Sequence, residues 1–188
     1  MTITPAGATV SYTVTWLEMA ARPSYPWPNA PSGKPAALLR AVAPPVWFFL
    51  GLYDAVGRDY AWEDMHAKDE AELEVVLSDP STSLYTLMRD GWPHGFFFLD
   101  HRDAGVCDLS YFGLVPQAVG SGLGRFLLES AVHMAWDIPD MQKVTVNTCT
   151  LDHPRALGLY QRAGFVPVRR TDHDRVLTRP LDASRVPG

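Results

Sequence analysis

A chain of 188 residues, with 47% hydrophobic and 20% charged side chains, is large enough to bury a core as one domain without metals or disulfides. Its net charge of −5 argues against nucleic acid or an anionic membrane as the main partner, because both need a basic surface. The first residues lack a signal-peptide pattern, and no apolar run reaches the ~18 residues of a membrane span. We therefore expect a cytoplasmic protein with residues 1–188 in one domain.

The two cysteines, Cys107 and Cys149, each lie in a strand-like apolar run without the Cys or His neighbours of a metal site. They are expected to be buried free thiols in a reducing compartment. The sequence therefore predicts no metal.

The N-terminal third begins with an alternating run rich in Val, Thr, Tyr and Trp, residues 9–19, which predicts a first strand. The proline-rich segment 21–35 predicts an irregular loop or arm. Residues 36–42 are too short to decide between strand and helix.

Two helices are predicted next, over 46–56 and 69–77. Gly57 is well placed to cap the first of them. Its aromatic stripe indicates a core face, although some aromatic side chains of this region could instead line an apolar acceptor cavity. These are Trp47, Tyr53, Trp62 and Trp92.

The chain then turns to strands. Residues 82–88 and 95–99 predict a hairpin around the turn-rich segment 89–94, and 106–114 adds a third strand to make an antiparallel meander. Helix, strand, helix and strand follow over 122–136, 143–149, 154–163 and 165–170, and the tail after Arg179 is expected to be frayed. The crossover helix implies that strands 106–114 and 143–149 are parallel.

The first of these crossovers opens with three alternating glycines, Gly120, Gly122 and Gly124. Without Cβ atoms on this turn, N–H groups at the helix start can approach a phosphate closely. A tight turn that merely needs positive φ explains the spacing equally well. The stretch lacks the Gly-Lys-Ser/Thr of a P-loop and the later acidic residue of a dinucleotide fold, so both of those sites are excluded.

The second crossover, residues 147–165, has Asp152 in position to cap a helix that Pro154 opens and Gly164 ends. Tyr160 lies on the packing face of that helix. A tyrosine there is either a core residue with a wet tip or a positioned acid.

Together these two stretches resemble the GCN5-related N-acetyltransferase (GNAT) family. Gly122-Leu123-Gly124-Arg125, followed by Leu127-Leu128, is similar to the family's acyl-CoA pyrophosphate loop, and Ala156…Leu159-Tyr160…Gly164-Phe165 is similar to its second signature. The resemblance covers residues 82–170 and implies an α/β fold, a twisted mixed sheet with helices on both faces and a splayed parallel strand pair. It divides the domain into a variable acceptor-side part (9–80), an acyl-CoA-binding core (82–170) and a tail (180–188).

The resemblance also implies roles for individual residues. Tyr160 matches the residue that protonates the departing CoA thiolate, and Asp108 matches an acidic strand residue that is the base in some members. The pantetheine arm of acetyl-CoA would pair with the backbone of Phe112, Gly113 and Leu114. The remaining cofactor contacts that it implies are Gly120, Ser121, Gly122, Leu123, Gly124, Arg125, Asn147 and His153.

Several positions depart from the family pattern. Val119 stands where the loop often has Arg or Gln, and Ser121 adds no charge, so the loop depends on N–H groups and Arg125. His153 stands where an Asn often contacts the cofactor, with Asn147 nearby as a substitute.

The identity of the base stays open. Thr148 stands where other members place a glutamate base. Asp108, being an acid in an apolar strand, could instead be paired with Arg102 or Arg125 as part of the structure.

The predicted function is transfer of the acetyl group of acetyl-CoA to a primary amine of a small molecule or peptide by direct attack. No metal, nucleic acid or membrane is expected to take part, and a homodimer is left open. The rival hypothesis is a non-catalytic acyl-CoA sensor or assembly module that kept the cofactor loop and lost the base. Turnover with any amine separates the two.

Overall fold

The computed structural model describes residues 3–186 apart from Ser32 and Lys34. Seven strands form one sheet in the order β3-β4-β5-β6-β7-β2-β8, and two short strands form a second. The elements in chain order are β1 (Ile3–Thr4), β2 (Thr9–Met19), β3 (Ala36–Ala41), α1 (Val46–Gly57), α2 (Glu70–Ser78), β4 (Thr82–Arg89), β5 (Trp92–Asp100), β6 (Val106–Leu114), α3 (Leu123–Trp136), β7 (Lys143–Cys149), α4 (Ala156–Arg162), β8 (Val166–Val176) and β9 (Leu181–Asp182).

The centre of the main sheet is the junction between β6 and β7. Strands β4, β5 and β6 form the predicted antiparallel meander. Strand β6 is parallel to β7, but the pairing covers only Val106–Asp108 of β6 against Lys143–Thr145 of β7. Beyond these residues the two described strands make no ladder contacts with each other and diverge. The predicted mixed sheet with a splayed parallel pair is confirmed.

Helices cover both faces of this sheet. Tyr111 of β6 packs against Phe49 and Tyr53 of α1, whereas the next residue, Phe112, packs against Tyr160 of α4. Successive strand residues point to opposite faces, so α1 and α4 lie on opposite sides of the sheet. The core between sheet and helices contains fully buried side chains such as those of Leu87, Phe96, Phe97, Leu127 and Leu128.

Strand β2, the predicted N-terminal strand, is inserted between two strands from the last third of the chain. It pairs antiparallel with β7 over Val14–Met19 and with β8 over Thr9–Glu18. The ambiguous run that begins at residue 36 is strand β3, which pairs with β4 at the sheet edge.

Three predicted boundaries are wrong. The strand predicted over 165–170 is β8, which continues to Val176 because it pairs with β2 along its length. The hairpin turn is only Asp90-Gly91, because Trp92 and Pro93 already belong to β5, where Pro93 lies beside a register shift. The tail is not frayed over 181–186, because β9 pairs with β1 and Arg185 forms a 3.2 Å ion pair with Asp59. Pro187 and Gly188 lie outside the described residues.

Gly57 has a different role from the predicted cap. It lies within α1, its φ is −93°, and the cap residue is Arg58. A Cβ atom at Gly57 would lie 2.4 Å from the side chain of Trp62. The missing side chain therefore lets Trp62 pack directly against the end of α1.

Replacing Gly57 with alanine should lower the free energy of unfolding by about 1–3 kcal/mol, because the new methyl group overlaps Trp62. The matched control is Gly51→Ala in the same helix, where an added Cβ meets nothing within 4 Å. Its higher helix propensity should leave stability unchanged or raise it by about 0.5–1 kcal/mol. Urea unfolding of both variants tests this, and equal midpoints would contradict it.

Candidate active site

A cleft of about 290 Å³ lies where β6 and β7 diverge. Three of the predicted site residues, Asp108, Ser121 and Leu123, do not line it. The other ten do: Phe112, Gly113, Leu114, Gly120, Gly122, Gly124, Arg125, Asn147, His153 and Tyr160. The structure thus brings most of the predicted site together in one place.

The glycine loop forms one end of this cleft. Gly120 and Gly122 have φ of +81° and +80°, and a Cβ atom on either would meet nothing within 4 Å. Helix α3 has no side-chain cap at its start, so its first N–H groups are available to a ligand. The turn therefore needs positive φ and also leaves open space beside a helix N-terminus, which suits a phosphate. Leu123 is fully buried and anchors the loop in the core.

Positive charge comes to the cleft from a source that the sequence analysis missed. Arg125 is exposed and pairs with Glu129 at 2.6 Å. Arg155 and Arg162 also line the cleft. Together with Leu159 they are spaced i, i+4 and i+7, which places them on one face of the α4 segment. This spacing was the available signal, and the two arginines supply the charge that Val119 and Ser121 lack.

Tyr160 lies at the inner end of the cleft. Its ring is 5% exposed and packs against Phe112 and Phe165, with centroid distances of 5.9 and 6.1 Å. Burial, with smaller effects from the Asp152 and Asp108 charges, raises the pKa of the Tyr160 phenol well above its usual range. The hydroxyl therefore stays protonated at neutral pH and can donate a hydrogen bond.

Asp108 lies behind the cleft wall and reaches it through a neighbour. Its carboxylate accepts hydrogen bonds from Thr145 Oγ1 at 2.6 Å and from Ser110 Oγ at 2.7 Å. Ser110, which the sequence analysis missed, lines the cleft. Burial raises the pKa of Asp108 despite the two hydroxyl donors.

The structural pairings considered for Asp108 do not form. Arg102 binds Asp100, with Nη2 to Oδ2 at 2.6 Å, and Arg125 binds Glu129. No ion pair of Asp108 therefore occurs with either arginine.

Asp152 organises the turn after β7. Its Oδ2 accepts from Thr148 Oγ1 and from the Cys149 N–H, both at 2.8 Å, and its Oδ1 accepts from Trp62 Nε1 at 3.0 Å. The prediction that it caps the following helix is wrong, because α4 begins only at Ala156 and has no side-chain cap. The side chain instead ties the segment after α1 to the end of β7.

His153 and Gly164 bracket α4. His153 Nδ1 accepts from the Arg155 N–H at 3.1 Å while the ring lines the cleft. Gly164 follows the helix with φ of +105°, as expected for the residue that ends it.

A second cavity, of about 300 Å³, adjoins the cleft on the face of the sheet that α1 covers. Tyr53 and Trp62, from the aromatic set considered above, line it. Five residues line both spaces: Tyr60, Trp62, Ser110, Asn147 and Asp152. The two spaces therefore meet at the splay of β6 and β7.

A larger cavity, of about 820 Å³, lies elsewhere along α1 and is lined by Trp47 and Trp92, the other two members of the aromatic set. None of the predicted site residues lines it. The chemistry of the cleft, and not cavity size, therefore identifies the candidate active site.

Both cysteines are free thiols, Cys107 buried and Cys149 half-buried. Among the described residues no cluster of three or more His, Cys, Asp or Glu side chains is arranged to hold a metal ion. In the same part of the chain, every helix is too short or too polar to cross a membrane.

Residues 49–165 match the model of a family described as the acetyltransferase (GNAT) family. The match covers more than half of the chain, so the protein belongs to the GNAT family, whose members are acyltransferases. No curated protein matches the sequence.

Solved structures share the fold at low identity. A functionally unknown conserved protein from Staphylococcus epidermidis is 13% identical with a TM-score of 0.60, over 88% of this chain and 62% of that one. A GCN5-related N-acetyltransferase from Kribbella flavida is 17% identical with a TM-score of 0.56, over 86% and 56%. An aminoglycoside acetyltransferase from an uncultured soil metagenomic sample is 13% identical with a TM-score of 0.54, over 69% and 87%. The chain thus spans less than two thirds of the first two structures.

Proposed function

We propose that the protein transfers the acetyl group of acetyl-CoA to a primary amine. The observation that carries this proposal is that one cleft is lined by the open glycine loop, the unpaired edge of β6 and the protonated Tyr160 hydroxyl. Membership of an acyltransferase family supports it. Acetyl-CoA, as the co-substrate, would supply an activated acetyl thioester.

The residues of the cleft suit an extended, phosphorylated co-substrate. The edge of β6 that faces β7 has no strand partner among the described residues beyond Asp108, so backbone groups of Phe112–Leu114 can pair with an amide-containing arm. The N–H groups at the start of α3 would bind the pyrophosphate, with Arg155 and Arg162 as the nearby cations.

The chain's own groups can handle both protons of the reaction. Ser110 would accept a proton from the amine while passing its own to Asp108, along the existing 2.7 Å hydrogen bond. A strand N–H near Leu114 would stabilise the oxyanion. Tyr160 would protonate the departing thiolate, because its hydroxyl stays protonated inside the cleft.

The acceptor would enter through the second cavity, since that cavity shares Ser110 and Asn147 with the cleft. The similarity to a protein named as an aminoglycoside acetyltransferase supports a small-molecule amine as the acceptor. Residues 9–80 would then contribute mainly to the acceptor side and 82–170 mainly to the acyl-CoA side, although Tyr60 and Trp62 line both spaces.

Acetyl-CoA at a hundredfold excess over its dissociation constant should stabilise the protein by about 2.7 kcal/mol. Gly122→Val should weaken this binding strongly, because the side chain would fill the space beside the helix N-terminus. Gly91→Val is the matched control, since Gly91 has φ of +84° and equally open space but lies in the β4–β5 turn. Calorimetry measures both affinities, and equal losses would mean that the loop does not hold the co-substrate.

Tyr160→Phe should fold and bind acetyl-CoA normally while the maximal rate falls by about 10², because only the proton donor is removed. Tyr85→Phe, in a tyrosine that stacks on Phe97 away from the cleft, should keep the parent rate. A thiol-release assay under conditions where chemistry limits the rate makes the comparison. If Tyr160→Phe turns over as fast as the parent, the tyrosine only packs. If the parent binds acetyl-CoA but acetylates no amine, the sensor hypothesis is favoured.

Asp108→Asn should remove the rise of kcat/KM with pH that ionisation of this carboxyl produces. Because the Asp108 pKa is raised, its carboxylate forms only at a higher pH than usual, so kcat/KM of the parent should rise with pH through that pKa and then level. The variant should lose this rise, with a deficit of about 10² in rate above that pKa that shrinks at lower pH, where Asp108 of the parent is also protonated.

Two variants test the route through Ser110. Ser110→Ala should cause a loss similar to that of Asp108→Asn, because Ser110 links Asp108 to the cleft. Thr145→Val removes the other hydroxyl donor to Asp108, but Thr145 lines neither space, so this variant should lose less activity. Its rate should rise at a higher pH than that of the parent, because loss of the donor raises the Asp108 pKa further. Equal effects of the two substitutions would exclude the relay.

A further inference from the structure

Six aromatic side chains line the second cavity. Strand β2 and strand β6 contribute three rings, and α1 with the segment after it contributes three more. The six residues are Tyr12, Trp16, Tyr111, Tyr53, Tyr60 and Trp62. We infer that this cavity takes the flat, apolar body of a small aromatic monoamine as the acceptor, an inference that rests on the proposed acetyl transfer.

The rings form a pre-organised surface. Tyr53, Trp62 and Tyr111 contact one another with centroid distances of 5.3 to 5.9 Å. Trp62 is held by its hydrogen bond to Asp152, and Trp16 donates from Nε1 to Thr171 Oγ1 at 3.2 Å. Rings that are already fixed lose little conformational freedom on binding, so they favour a flat aromatic ligand.

The size of the cavity sets an upper limit on the ligand. A space of about 300 Å³ is at the low end of ligand pockets. It accommodates one ring with a short amine-bearing chain, whereas a substrate of several linked sugar rings would have to extend into solvent.

The carboxylates around the cavity already have hydrogen-bond partners. Among its described lining residues the carboxylates are Asp64 and Asp152. Arg175 Nη2 binds both oxygens of Asp64 at 2.8 Å, and three donors occupy Asp152. Burial raises the pKa of Tyr53 and Tyr60 to about 12, so these phenols add no negative charge. A polycation would therefore find no free carboxylates for its additional ammonium groups.

The amine of such a ligand would lie near the residues that line both the cavity and the cleft. A ring held by the aromatic side chains would place a short aminoalkyl chain toward Ser110 and Asn147, where the cavity joins the cleft. Apolar surroundings disfavour the ammonium form, and direct attack requires the neutral amine. The aromatic lining therefore suits both binding of the ring and deprotonation of the amine.

The experiment compares three amines in the thiol-release assay: 2-phenylethylamine, ethylamine, which lacks the ring, and spermidine, a linear polycation. We expect kcat/KM for 2-phenylethylamine to exceed both others by about tenfold or more, the scale of burying an apolar group in a fitted pocket. Trp16→Leu should reduce this advantage about threefold to tenfold through KM, with a smaller loss for ethylamine, which has no ring to contact Trp16. Trp47→Leu, at an exposed tryptophan of the separate large cavity, should change none of these values.

A spermidine or ethylamine rate equal to that of 2-phenylethylamine would overturn the inference, as would an equal loss with every amine in Trp16→Leu. Tyr12→Leu, on the same wall, replaces Trp16→Leu if that variant does not fold. If no amine is acetylated, calorimetry with 2-phenylethylamine and CoA-saturated protein separates the two proposals. Binding by the parent that weakens in the Trp16 or Tyr12 variant would sustain the aromatic site while the acetyl transfer fails, and absence of binding would overturn the site.

Discussion

The separation of β6 from β7 after three residue pairs is the constraint on which the site depends. A fully paired ladder would satisfy the backbone of β6 internally and close the sheet, leaving nothing for an extended ligand to pair with. Because the strands diverge, one edge of β6 is open and the spaces on the two faces of the sheet meet at Ser110 and Asn147. The co-substrate and the acceptor of the proposed reaction can therefore meet at this opening in the sheet.

Burial has two different consequences for the ionisable groups at this junction. It raises the pKa of Tyr160, so the hydroxyl stays protonated and can act as an acid. It also raises the pKa of Asp108, so the carboxylate is a stronger base. The acid and the base of the proposed chemistry are thus prepared by the same low-dielectric surroundings. Tyr160 lines the cleft directly, whereas Asp108 reaches it through Ser110.

Much of the fold was predictable because its signals are local. Strand β7, the α3 start and the glycine loop follow from residues that are adjacent in sequence, and their predicted positions agree with the structure. The full lining of the second cavity could not be predicted, because it depends on how distant elements meet. The prediction of a frayed tail was wrong for the same reason, since β9 pairs with the N-terminal β1. The arginines of α4 were detectable from their spacing alone.

The insertion of β2 between β7 and β8 has a consequence for how the chain folds. Ser11 of β2 hydrogen-bonds to Asp174 of β8, 163 residues later. The N-terminal strand is therefore synthesised long before either neighbour, and its ladders can form only after nearly the whole domain has left the ribosome. Until then β2 has no partner strand, and Tyr12 and Trp16 are exposed. Completion of the sheet is therefore expected to be a late, non-local step, and aggregation is most favoured before it.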